Sequence, residues 1–172
     1  DDGAPDTVTL CTGPRASIYW RSDLDVDCDG GRTSVCMSDP AYMPDTSTTD
    51  AHGDPIDAET VPFFVIPLPS GAPPGGRGFD YGAHDIALGQ VGVVVYGGTW
   101  SCGVFADEGP NDIIGEASYA MAVRLGIDPD PRTGGADSGA TFVVFTGTDA
   151  VVADASDTAA VQAICATRLA AL

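Results

Sequence analysis

The stretch from residue 91 to 106 constrains the fold most. Val91-Gly92-Val93-Val94-Val95-Tyr96 and the run from Thr99 to Ala106 are separated by only Gly97 and Gly98. A two-residue turn matches the twist of its two strands when both central residues take positive φ, which glycine does without strain. The segment therefore predicts a β-hairpin. Val61 to Leu68 predicts another apolar strand, interrupted by Pro62 and Pro67 in the manner of an edge or a barrel rim. Ala140 to Thr146 predicts a further buried strand. Two helices are expected. One runs from about Gly115 to Leu125, closed by Gly126 with Pro129 soon after. The other runs from Asp157 to about Leu172, with Val161, Ile164, Cys165, Leu169 and Leu172 on one face.

The rest is turn-rich. The amino-terminal third shows apolar patterning only at Thr7 to Leu10 and Ser17 to Trp20. Residues 37 to 60 read as a long polar loop with Asp39-Pro40, Pro44-Asp45 and Gly53-Asp54-Pro55 turns, and residues 69 to 78 as a Pro/Gly loop. Short strands with two helices predict a mainly β fold, a small β-barrel. With 172 residues, 44% hydrophobic and 19% charged, the chain is large enough to bury a core and is expected to be one domain over residues 1–172.

The charge is lopsided, with seven Arg, no Lys and 25 acids, a formal net charge of −18. Such a field repels nucleic acid and anionic membrane surfaces and attracts cations. Taken alone, it points first to solubility or salt tolerance. No apolar run approaches the ~20 residues of a membrane span. The chain begins at Asp1 rather than Met, in keeping with a removed leader.

Five cysteines in a chain of this size point to an oxidising compartment, with one left over. Cys28 and Cys36 flank a Gly-Gly turn and form the easiest pair to close. Cys11, Cys102 and Cys165 supply at most one more bridge, with the pairing open. Metal binding by cysteine is not expected, because no C-x-x-C pair exists.

The chemistry concentrates between Val104 and Ala122. Alternation puts Trp100, Cys102, Val104 and Ala106 on one face of the second hairpin strand, and Ser101, Gly103, Phe105 and Asp107 on the other. Asp107 then leaves the strand end into a Gly109-Pro110 turn, and Glu116 opens the expected helix. The chain has only three Glu, so a Glu between Gly115 and Ala117 is not a sample of the aspartate background. Two acids on neighbouring rigid elements are what acid/base hydrolysis of a glycosidic bond requires. The plain alternative is an acidic first helical turn suited to the helix dipole.

At this segment the chain resembles the family 75 glycoside hydrolases, the fungal-type chitosanases. The Asp107-x-Gly109-Pro110 turn and Ile114-Gly115-Glu116-Ala117-Ser118-x-Ala120 carry the likeness. Three further passages agree: Tyr19-Trp20 leading into Asp25-Val26-Asp27-Cys28-Asp29-Gly30, then Val61 to Pro67, then Val91 to Tyr96. They run in family order across most of residues 9 to 147. The resemblance implies a six-stranded double-psi β-barrel with two or more short helices. It also implies endo-hydrolysis of β-1,4 links in chitosan with inversion, and essential acids at Asp107 and Glu116. Chitosan with protonated amines is a polycation, which suits the −18 charge. By environment, Asp107 beside apolar neighbours is expected to be the acid. Glu116 at a helix amino terminus is expected to be the base, with exchanged roles left open.

Asp25-x-Asp27-x-Asp29-Gly30 matches the first half of an EF-hand loop, but the twelfth position is Cys36 and no helix pattern flanks it. Asp25, Asp27 and Asp29 are therefore expected to bind substrate amines, with a calcium site or a disulfide-braced turn as alternatives. Tyr19 and Trp20 are candidates for sugar contact, as is Trp100 for stacking, against the common use of strand aromatics in cores. Asp112, and more weakly Asp80 and Asp85, are candidates for amine-binding subsites. His52 and His84 read as surface or turn residues. No serine-elbow, phosphate-loop or dinucleotide motif occurs. The expected protein is a secreted, monomeric, cofactor-free hydrolase acting on chitosan, with no nucleic-acid or membrane partner. The alternatives are an expansin-like, non-catalytic carbohydrate-binding barrel, a hydrolase of another amino-sugar polymer, and a calcium-dependent interaction module.

Overall fold

The computed structural model describes residues 8–69, 79–111 and 113–171. Its elements in chain order are β1 (Cys11–Gly13), β2 (Ser17–Asp27), β3 (Phe63–Pro67), β4 (Val91–Tyr96), β5 (Thr99–Gly109), β6 (Glu116–Ser118), α1 (Tyr119–Leu125), β7 (Ala136–Phe145) and α2 (Thr158–Ala170). The sheet follows the order β2-β6-β3-β5-β4-β7, and β7 returns to β2, which closes a six-stranded barrel. β1 pairs with β2 at Ser17 to Tyr19, and β6 pairs with it at Asp25 to Asp27. The β2–β6 and β3–β5 pairings are parallel and the others antiparallel, consistent with the double-psi expectation.

The hairpin forms as its residues dictate. Tyr96 pairs with Thr99, and Gly97 and Gly98 take φ of 57° and 84°, the pair of positive values that the turn demands. Both faces of the barrel wall are covered, which explains its near-continuous apolar strands. Phe64 and Ile66 join a cluster with Trp20, Phe105, Phe142 and Met121 of α1. Their neighbours Phe63 and Val65 join a second cluster with Val93, Phe145 and, from α2, Val161 and Cys165. Helix α2 starts at the Asp157 cap, whose carboxylate accepts the Ala160 N–H at 2.9 Å. Its apolar stripe is as expected through Leu169, while Leu172 lies outside the described residues.

Four sequence expectations need correction. β3 is not an edge: β5 flanks one side and β6 the other, and the prolines fall just before the strand and at its last residue. The amino-terminal third holds an eleven-residue strand, since β2 continues past Trp20 to Asp27. Asp25 and Asp27 thus sit on a strand rather than in an EF-hand loop. Glu116 does not open a helix. Residues Glu116–Ser118 pair in parallel with Asp25 to Asp27, and α1 begins only after Ser118, whose Oγ accepts the Met121 N–H. The backbone groups that a helix would use are committed to the barrel ladder. Finally, Trp20 is 1% exposed and stacks flat on Phe142 at 5.2 Å, so it cannot meet a sugar. Most of the Pro/Gly loop, residues 70–78, lies outside the described residues.

Two disulfides brace the barrel. Cys28–Cys36 closes the turn after β2, and Cys102–Cys165 ties β5 to α2 across 63 residues; Cys11 is the free thiol. Arg168 fastens the other side of α2, donating to the carbonyls of Arg15, Ala16 and Thr146 and pairing with Asp149 at 2.8 Å.

Candidate active site

The ends of three strands converge on one group of carboxylates. β2 supplies Asp25 and Asp27 and leads into Asp29, β5 supplies Asp107, and β6 supplies Glu116 directly beside Asp25 in the ladder. A register shift in β5 aims Asp107. Phe64 pairs with Phe105 but Val65 pairs with Asp107, so Ala106 is an extra residue that bulges the strand at this point. Bulges turn the following side chain relative to the regular pleat. Carboxylate oxygens of Asp27, Asp29 and Asp107 lie within 4.8 Å of one another.

Asp107 is 5% exposed, yet one oxygen is richly bonded. Its Oδ1 accepts from Ser47 N–H at 2.8 Å, from Ser47 Oγ–H at 2.7 Å and from Glu108 N–H at 2.8 Å. Burial raises its pKa, and these three donors oppose the rise by favouring the anion. Glu116 is raised too, without such donors among the described residues to oppose it. Burial pushes it up to about 7, and repulsion from Asp25, Asp29 and Asp107 adds to the shift. Its carboxyl packs against the bare α-carbon of Gly109, where a Cβ would collide with Oε2. Burial thus raises both acids. Glu116 lacks the helix terminus it was assigned, and Asp107 carries three donors that offset part of its rise.

The neighbouring aspartates are pushed up as well. Asp27 rises well above the usual carboxylate range through burial and then through Asp29, with Asp107 and Glu116 adding to it. Asp29 reaches about 6 through burial, against the Met43 N–H that it accepts at 2.6 Å. Such a cluster invites positive charge. Asp27 and Asp29 each give one oxygen to a backbone N–H, and Asp107 Oδ1 takes three donors, which leaves one oxygen of each for a cationic partner. A substrate ammonium or a divalent ion whose shell is completed by water could take that place.

The other expected residues are placed differently, and the turn after Asp80 reaches the end of β5, where Tyr81 Oη donates to Glu108 Oε1 at 2.8 Å. Tyr19 is exposed and lies six residues before Asp25 on β2, roughly 20 Å along the strand. It pairs with Cys11, whose thiol hydrogen bonds its phenol and raises that pKa. Asp80 and Asp85 flank a short 3-10 turn, with Asp80 accepting the Gly82 N–H at 3.0 Å. Trp100 is exposed at the hairpin tip. Asp112 lies outside the described residues. Sequence reasoning missed Ser47 and Met43. Both lie in the stretch taken for a plain polar loop, and no motif marks them.

A family model described as fungal chitosanase of glycosyl hydrolase group 75 matches residues 24–171. The chain belongs to this family. All five acids of the cluster fall inside the match, whereas Tyr19 and Trp20 precede it. The family makes this chain a glycoside hydrolase with a polysaccharide as the class of substrate. No curated protein matches the chain. Among the described residues no helix of this chitosanase-family protein is long and apolar enough to cross a membrane.

Proposed function

We propose that residues 1–172 form one secreted, monomeric catalytic domain that hydrolyses internal β-1,4 links between glucosamine units of chitosan with inversion. The observation that supports this reading is the convergence of Asp107 and Glu116 with Asp25, Asp27 and Asp29 at the ends of three strands, in a chain of the fungal chitosanase family. Burial raises both acids, and three donors offset part of the rise at Asp107, which makes Glu116 the better proton donor. Glu116, pushed up to about 7, keeps its proton near neutrality and gives it to the glycosidic oxygen as the C1–O bond breaks. Asp107 Oδ2 accepts a proton from the water that attacks C1 from the opposite face. Glu116 ends as a carboxylate and Asp107 as a carboxylic acid, and exchange with solvent resets both. The space that water needs corresponds to carboxyls about 6.5–9.5 Å apart.

Asp25, Asp27 and Asp29 receive the substrate ammonium groups. Each such contact relieves the mutual repulsion that burial imposes on these acids. The acidic surface draws the polycation towards the cleft.

Sizing the products formed from chitosan and from chitin tests the substrate and the endo action. Proton NMR of fresh products should show the α-anomer accumulating first, and initial β-anomer would refute inversion. Binding of chitosan with no cleavage would favour the non-catalytic barrel.

A further inference from the structure

Ser47 stands 60 residues from Asp107 in sequence, inside the polar stretch between β2 and β3, yet it makes two hydrogen bonds to one oxygen of that acid. The hydroxyl has a defined direction. Its Oγ accepts the Glu108 N–H at 3.0 Å, a hydrogen shared with Asp107 Oδ1, which occupies one side of the oxygen and leaves the hydroxyl proton for Asp107 Oδ1. Anchoring of the loop is handled by the next residue. Thr48 donates both its N–H at 3.0 Å and its Oγ1–H at 2.9 Å to the carbonyl of Ala106, the bulge residue. The Ser47 hydroxyl therefore adds little to loop attachment and acts on the carboxylate.

We infer that Ser47 is a positioning residue for hydrolysis: it locks Oδ1 of Asp107 so that Oδ2 alone faces the attacking water. This inference rests on the functional reading above. A fixed carboxylate saves the reorganisation that a freely turning one would need at each turnover. The role belongs to the chemical step, so substrate affinity is left to the other acids.

The test compares Ser47→Ala, Ser47→Thr and Ser47→Val with the intact chain on chitosan. Thr and Val share one shape and differ in the hydroxyl, which separates the hydrogen bond from packing even if Ala perturbs the loop. Ser47→Ala and Ser47→Val should lower kcat about 10- to 100-fold with KM within about twofold, while Ser47→Thr stays within about threefold of the parent. Thr48→Val should instead lower the melting temperature and shift kcat little. Equal kcat in the Thr and Val variants, or a change confined to KM, would overturn the positioning role alone. A parent protein that leaves chitosan uncut would overturn the functional reading and this role together.

Discussion

Replacing Glu116 by glutamine should stabilise the fold above neutral pH while removing the catalytic proton. The folded protein holds this carboxyl at about 7 against an ordinary value of 4.5, chiefly through burial and then through Asp25, Asp29 and Asp107. Between those two values the native state binds more protons than the unfolded chain, so stability falls as pH rises through the window. At 1.36 kcal/mol per pH unit the full difference is about 3 kcal/mol, and partial solvent access to a half-buried side chain brings it to about 2–3 kcal/mol. Glutamine carries no charge and keeps the shape. The variant should therefore match the parent near pH 4 and exceed it by about 2–3 kcal/mol at pH 8. For a chain of this size that is about 4–12 °C in Tm. Urea unfolding at pH 4, 6 and 8, with the disulfides intact, measures the gap directly. A variant no more stable than the parent at pH 8 would refute the strained, proton-retaining Glu116 and with it the assignment of the acid.

Asp107→Asn should cut turnover at least about a hundredfold with the fold intact, as judged by circular dichroism, and ordinary activity would remove Asp107 from the mechanism. Gly109→Ala should push a methyl into Glu116 Oε2, destabilising the fold by about 1–3 kcal/mol and lowering kcat, both read against the parent in the same buffer. Raising salt from 0.1 to 1 M shortens the Debye length from ~10 to ~3 Å, so kcat/KM on long chitosan should fall while kcat changes little. Neutralising Asp25, Asp27 and Asp29 together should reproduce part of that fall. A chelator should leave Tm unchanged, and a drop would place a divalent ion among the acids. Replacing Cys102 and Cys165 by alanine should cost about 4 kcal/mol in the chain-entropy picture, against about 2.5 kcal/mol for Cys28 and Cys36, as shown by urea midpoints.

Features set by near neighbours in the chain were legible in the sequence. The Gly97-Gly98 hairpin, the Gly126 helix end, the stripe on α2 and the Cys28–Cys36 bridge all follow from dihedral preference, periodicity or a short loop. The family likeness also located Asp107 and Glu116 as a pair to test. Features set by partners far along the chain were not legible. Helix signals around Gly115 and Ser118 were overridden at Glu116 because its backbone pairs with Asp25, over ninety positions earlier. Trp20 looked available for a sugar until the barrel closed Phe142 over it. Cys102 found Cys165 rather than Cys11 because α2 packs on β5. The charge balance of the site is likewise tertiary. By itself the sequence determined that acids are abundant and where two of them recur in a family pattern. Folding decided how far each acid is shifted, because desolvation, the crowding of Asp25, Asp29 and Asp107 around Glu116, and the donors of Ser47 exist only once distant strands and loops meet.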